Sequence, residues 1–303
     1  MVTGHETTPE VSTKAYLMLT VTTLCWGANA VFGRLAVGEI SPMAVVTLRW
    51  LGVLLLLAFF AREPVRRDWP ILRPKLLFFA SMGALGFTSF NALFYAAAHY
   101  TSAVNIGILQ GSLPMFMLVF AYAAYRTPIT GVQMAGVLLT VTGVVIVGTG
   151  GHPGQLASLQ LNLGDLLMVI ACVLYAIYAV ALRRRPAVSA LGLFTVMAAA
   201  AFLASIPLLL AEAALGHLQW PTPTGWVIVA LISLFPSFLG QIFFINGVAL
   251  IGPGRAGVFV NLVPVFASIL AVVFLREPFQ GFHAVALSLV LGGIWLSERG
   301  KPA

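Results

Sequence analysis

Several stretches of this chain set amides among aromatic rings at helical spacing. Phe87, Phe90, Asn91, Phe94, Tyr95 and Ala98 follow i, i+3/i+4, i+7/i+8 and share one helix face. Ser237, Gln241 and Phe244 form a similar face. Trp26, Asn29 and Gly33 form another, and Tyr175 and Tyr178 a fourth. Gly107, Gln110, Gly111 and Pro114 line up, as do Gly257, Asn261 and Pro264. Rings offer stacking and apolar surface, while amides offer a donor and an acceptor. Together they could cage a small solute that is flat and apolar at one end and polar at the other. The same spacing also serves packing. Glycines let helices approach closely, Asn91 and Gln241 can bond across helices, and rings can face lipid. Pro114 and Pro264 each remove a backbone N–H, either as a packing kink or as a hinge.

Arg49 is the one basic residue well inside an apolar run, about seven residues or roughly 10 Å from its start. A charge at that depth is paired or turned inward. It can tether helices, with Asp165 and Glu277 as candidate partners, or it can bind a solute carboxylate. No run has Asp, Glu or His at its centre; Asp165, Glu212, Glu277 and His99 all fall near ends. That disfavours a carboxylate proton relay through mid-membrane. The sequence has no HExxH, GxSxG, Walker or GxGxxG pattern, so neither an enzyme, a bound cofactor nor ATP-driven pumping is expected. Cys25 and Cys172 lie in apolar stretches without a CxxC partner and read as packing residues; no metal site is expected.

The elements that position these residues are membrane helices. Of the 303 residues, 60% are hydrophobic and 8% charged, with a mean hydropathy of +1.00. A soluble chain carries about 25% charged residues. Spanning the hydrocarbon core takes about 20 apolar residues. Ten such runs occur, near 15–36, 42–61, 76–98, 102–124, 130–149, 163–182, 188–211, 225–249, 255–274 and 280–297. Residues 1–14 are polar, and the first run reads as an uncleaved helix rather than a signal peptide. The net charge of +7 could suggest nucleic acid, but the basic residues sit in short loops and act as topology signals. With the N-terminus in the cytoplasm, 13 of the 16 Lys and Arg fall in cytoplasmic segments. Arg34 and Arg276 lie outside, and Arg49 is within a helix. Both termini are therefore expected in the cytoplasm.

The runs repeat. Shifting 101–147 by 150 places Gly107 on Gly257, Pro114 on Pro264, Phe116 on Phe266 and Arg126 on Arg276. Pro128 then meets Pro278, and Gly143 meets Gly293. Five helices per unit is an odd number, so the second unit runs upside down relative to the first. The expected fold is an all-α integral membrane protein of two inverted five-helix repeats, 15–149 and 163–297. Gly150 through Asn162 forms an outside linker, and a solute site is expected between the halves.

Trp26-Gly27 with Asn29, Leu48-Arg49 and Leu113-Pro114-Met115-Phe116 form one set of marks. Val263-Pro264-Val265-Phe266, Leu275-Arg276-Glu277-Pro278 and Gly292-Gly293 form the other. In order and spacing they resemble the drug/metabolite transporter superfamily, EamA type, in two tandem copies over 15–297. The chain looks most like the bacterial aromatic amino-acid exporters of that group. One departure is Thr127, standing where the family has a Glu that Glu277 keeps. The resemblance implies a secondary transporter of the inner membrane, with alternating access and a site near mid-membrane.

The residues expected at that site are Trp26, Asn29, Phe90, Asn91, Phe94, Tyr95, Gln110, Tyr175, Tyr178, Gln241 and Asn261. Pro114 and Pro264 are the expected hinges, and Arg49 is a tether or carboxylate ligand. A neutral cavity would suit a zwitterion, so the expected substrate is an amino acid, aromatic ones favoured. The expected partners are that small molecule and the lipid bilayer, with no nucleic acid and a monomer as the unit. Another small solute (a drug, nucleoside or sugar conjugate) and a non-carrier channel or sensor are the alternatives.

Overall fold

Among the described residues of the computed structural model, ten helices are long and apolar enough to cross a membrane. The structure describes residues 9–152 and 162–300. Much of the polar N-terminal stretch and the linker over 153–161 lie outside the described residues. The helices are α1 (Ser12–Leu35), α2 (Pro42–Phe60), α3 (Arg62–Ala97), α4 (Ala103–Tyr125) and α5 (Gly131–Gly148). They continue as α6 (Leu163–Arg184), α7 (Ala190–Ala214), α8 (Pro223–Ile251), α9 (Arg255–Leu275) and α10 (Gly281–Arg299). The fold is all-helical, with no strand among the described residues. It differs from the sequence reading in α3, which begins at Arg62 and not near residue 76. Its first turns, Arg62–Leu72, are amphipathic, with Asp68 and Leu72 buried and Arg62, Arg66 and Arg67 turned away from the core. An apolarity count stops at such charges, although the backbone continues as helix.

The 150-residue repeat extends to backbone irregularities. α3 loosens into a π-helical turn over Gly83–Ser89, and α8 does so over Ser233–Leu239, exactly one repeat later in number. The causes differ. In α8, Pro236 has no N–H for the carbonyl of Ile232, and that carbonyl accepts instead from Ser237 Oγ at 2.6 Å. In α3 the turn is widened without proline, and Ser89 Oγ donates to the carbonyl of Ala84 at 3.0 Å. α4 is interrupted after Gln110, and α9 after Val260. Both breaks fall four residues before a proline, Pro114 and Pro264. There the missing N–H and the ring clash end the ladder. Arg126 and Arg276, also one repeat apart, both close their helices in the left-handed conformation at φ 53°.

Corresponding helices run antiparallel. The start of α5 meets the end of α10, where Thr130 Oγ1 donates to the carbonyl of Gly300 at 2.9 Å. Gly136 and Gly293 bring these two backbones together, because a Cβ on either would collide with the other's carbonyl. α7 is tied to the first half at both ends, to α3 at its start and to α2 at its end. The Asp68 carboxylate accepts from the Ser189 N–H at 2.7 Å and from its hydroxyl at the start of α7. The Glu212 carboxylate accepts from Ser41 Oγ at 2.5 Å and from the Met43 N–H at 3.2 Å at the start of α2. Each half thus supplies an acid that caps a helix of the other, where N-terminal N–H groups favour a negative charge.

Candidate functional site

Between the halves lies a cavity of about 480 Å³, within the range of small-molecule sites. Its wall holds Trp26, Asn29, Arg49, Phe90, Asn91, Gln110, Pro114, Tyr175, Gln241, Asn261 and Pro264, all singled out in the sequence. The π-turn of α8 places Pro236 and Ser237 in the wall, and Trp26 fastens onto it by donating from Nε1 to the Pro236 carbonyl at 3.1 Å. Trp26 also packs on Phe244 with ring centroids 5.2 Å apart. On the other side Phe90 packs on Tyr175 at 5.1 Å. The interruptions in α4 and α9 bring Gln110, Gly111, Val260 and Asn261 to the same space.

Three of the expected residues stand behind the wall. Phe94 is fully buried between helices, and its ring edge abuts Gly33. Tyr178 packs edge-on to Phe87 and fills the space over Gly86, where any Cβ would strike its ring. Tyr95 is buried as well, and its hydroxyl donates to Asn29 Oδ1 at 2.9 Å. A helical face spans too wide an arc for every member to reach one cavity.

Arg49 is 7% exposed and lines the cavity. Its Nη1 donates to Asn91 Oδ1 at 2.6 Å and to the Tyr95 hydroxyl at 2.7 Å, with Asn29 Oδ1 at 3.5 Å. It therefore joins α1, α2 and α3. The acids expected as its partners are elsewhere. Asp165 takes a hydrogen bond from Thr101 Oγ1 at 2.5 Å, and Glu277 caps the start of α4. Both sit at the helix ends, a turn or more from the depth of Arg49. The wall therefore carries charged side chains, Arg49 and Glu298, and not neutral groups alone, which corrects the expectation drawn from side-chain types. Sequence reading also passed over Trp50, Phe194, Pro236, Ile294 and Glu298, which the wall includes. Pro236 could have been found as the repeat mate of Gly86; Trp50 carried no such signal.

An EamA-like transporter family model matches residues 13–149 and again 162–299. The chain belongs to the EamA-like transporter family. It is thus a multi-pass membrane transporter, and that family is not an enzyme class. The EamA-like chain is 28% identical over 291 residues to the uncharacterized transporter YetK of Bacillus subtilis, covering 95% of this chain and 87% of that one. It is 27% identical to the uncharacterized transporter YyaM of the same species, covering 92% of each. A solved crystal structure matches its fold with a TM-score of 0.61 at 20% identity, over 93% of this chain and 97% of that one.

One end of the EamA-like bundle is closed by a network that crosses between the halves. Glu277, after α9, accepts from the N–H groups of Ala103 and Val104 at 2.9 and 3.0 Å and pairs with Arg34 at 3.8 Å. Arg34 also donates to the carbonyl of Ala98. Asp165, at the start of α6, accepts from Thr101 and from Asn105 Nδ2 at 3.2 Å. His283, at the start of α10, accepts from the Gln280 N–H at Nδ1, which leaves Nε2 to donate to Asn105 Oδ1 at 3.1 Å. Beneath this layer Ala97, Ala98, Ala103, Val104, Ile106 and Ile108 have no exposed surface. The cavity wall instead reaches Ala179, Gly257 and Glu298, toward the opposite end of the bundle.

Proposed function

We propose that this chain exports amino acids across the bacterial inner membrane, aromatic ones favoured, by alternating access of two inverted five-helix repeats, 15–149 and 163–297. The carrying observation is the cavity itself. It combines rings (Trp26, Phe90, Tyr175, Phe244) with amides (Asn29, Asn91, Gln110, Gln241, Asn261) in a space sized for a small solute. Pro114 and Pro264 act as hinges where α4 and α9 are already interrupted. The distribution of basic residues supports placing both termini in the cytoplasm. On that orientation the network around Glu277 and Asp165 closes the outer face, and the cavity faces the cytoplasm. That is the loading state of an exporter, working as a monomer.

Counterflow in liposomes tests this reading. Vesicles loaded with unlabelled phenylalanine, tyrosine or tryptophan should drive saturable uptake of the labelled amino acid through the purified protein. Phe90→Ala and Tyr175→Ala should raise the half-saturating concentration for aromatic substrates more than for small ones. If no amino acid exchanges, the substrate reading is wrong. Non-saturating flux at channel rates would overturn the carrier reading itself.

A further inference from the structure

Three buried side-chain nitrogens among the described residues have no hydrogen-bond partner: Arg49 Nε, Trp50 Nε1 and Gln110 Nε2. All three belong to residues of the one cavity wall. A glutamine amide can turn to present either end, so Gln110 decides nothing. Guanidinium and indole nitrogens can only donate. An unmet buried donor is costly, and a buried charge without a counter-charge more so. Each hydrogen bond that the Arg49 side chain makes to a described residue leaves from Nη1. The acceptors there are neutral: two amide oxygens and a phenol. No described carboxylate forms an ion pair with it. The other charged residue of the wall, Glu298, stands in the last turn of α10.

We propose that Arg49 binds the carboxylate of the transported solute through its Nε–Nη2 edge, assisted by the Trp50 indole N–H. This rests on the cavity being the transport site. The Nε–Nη2 edge is a fork that matches the two oxygens of a carboxylate, and the Nη1 bonds to Asn91 and Tyr95 hold it in place. Trp50 is itself held by stacking on Phe87, with centroids 4.8 Å apart and planes 4° from parallel. Apart from Glu298 at the end of α10, the groups around the guanidinium are neutral rings and amides, which suits a single negative charge at Arg49. The substrate class is therefore monocarboxylates with an apolar body, with or without an α-amino group. A solute amine gains nothing from this corner.

The test compares four probes of one shape: phenylalanine, phenylalaninamide, 3-phenylpropionate and phenethylamine. Each competes with labelled phenylalanine or labelled 3-phenylpropionate in counterflow, and each is scored for thermal stabilisation of the detergent-purified protein. The two carboxylates should act at concentrations about tenfold or more below the amide and the amine, the worth of one charge-assisted hydrogen-bond pair. Arg49→Lys and Arg49→Gln should erase that gap. Tyr95→Phe, which loosens the tether and keeps the fork, should preserve it. This control and the wild-type comparison stand even if an Arg49 variant fails to fold. If phenylalanine and its amide compete equally, or neither carboxylate acts, the carboxylate site is overturned; equal competition leaves the amino-acid reading intact. If 3-phenylpropionate acts and no amino acid does, the amino-acid reading fails and the carboxylate site stands. Loss of the gap in Tyr95→Phe to the same degree as in Arg49→Gln would reduce Arg49 to a tether.

Discussion

Gly107 and Gly257 occupy matching places one repeat apart, yet their surroundings differ. A Cβ on Gly107 would overlap the Cβ of Ala267, so α4 and α9 touch there. A Cβ on Gly257 meets nothing within 4 Å, and the residue lines the cavity. Gly107→Ala should therefore cost about 1–3 kcal/mol through overpacking, read as a lower melting temperature of the purified protein. Gly257→Ala should melt as the parent does, or slightly higher, and instead change the half-saturating substrate concentration. Equal effects of the two variants on melting would contradict this assignment. The sequence alone gave both glycines the same packing role, because spacing reports a helix face and not what lies opposite it. The same limit explains Phe94, Tyr95 and Tyr178, which share faces with wall residues but fill space behind them. Amides were more legible: Asn29, Asn91, Gln110, Gln241 and Asn261 all reach the wall, since few other places in a membrane bundle tolerate them. Trp50 escaped notice because one ring among many apolar residues carries no pattern.

At the scale of elements, ten helices were readable because 20-residue apolar runs have few other fates in so hydrophobic a chain. The π-turns were not, since Gly83 and Gly86 in α3 share no residue type with Pro236 in α8. The capping of α7 by Asp68 of α3, and of α2 by Glu212 of α7, was also hidden. It joins acids and serines 121 and 171 residues apart in sequence. Asp68→Asn and Glu212→Gln should each lower the melting temperature, as a neutral amide is a weaker cap than a carboxylate. The two caps lie at opposite ends of helices about 30 Å long, so the double variant should show the sum of the two shifts. A double variant no worse than either single one would mean that the caps do not act independently. The proline breaks in α4 and α9 carry a separate expectation. Pro264→Ala restores an N–H to the carbonyl of Val260 and lets the helix close across the break. Melting should hold or rise while the counterflow rate falls; an unchanged rate would remove the hinge role.

At the scale of the molecule, the inverted repeat makes the two ends near-equivalent in backbone, so what distinguishes them must lie in side chains that break the repeat. Glu277 and Thr127 are such a pair. The carboxylate of Glu277 takes two N–H groups at the start of α4 and faces Arg34, joining the halves at one end. A threonine hydroxyl at the matching place has neither the charge nor the second oxygen for the same task. Asp165, hydrogen-bonded to Thr101 and Asn105, adds a second tie at the Glu277 end. The sequence made the Glu277–Thr127 difference visible, but not its meaning, because which backbone groups face Glu277 depends on the packing of α9 against α4. If these ties hold the outer face shut, weakening them should move the population toward outward-open states. A cysteine at Gln110, in a variant whose Cys25 and Cys172 are alanine, reports this directly, since Gln110 lines the cavity. In intact cells, labelling by a thiol reagent that does not cross the membrane should be slow in the parent. It should quicken several-fold in Glu277→Gln and in Asp165→Asn, whereas Asp68→Asn, which alters the cap of α7 at the opposite end of the bundle, should have little effect. Fast labelling of the parent would mean that the cavity already faces outward and that the orientation read from the basic residues is reversed. Slow labelling in all variants would show that these carboxylates fasten helices without setting the conformational balance.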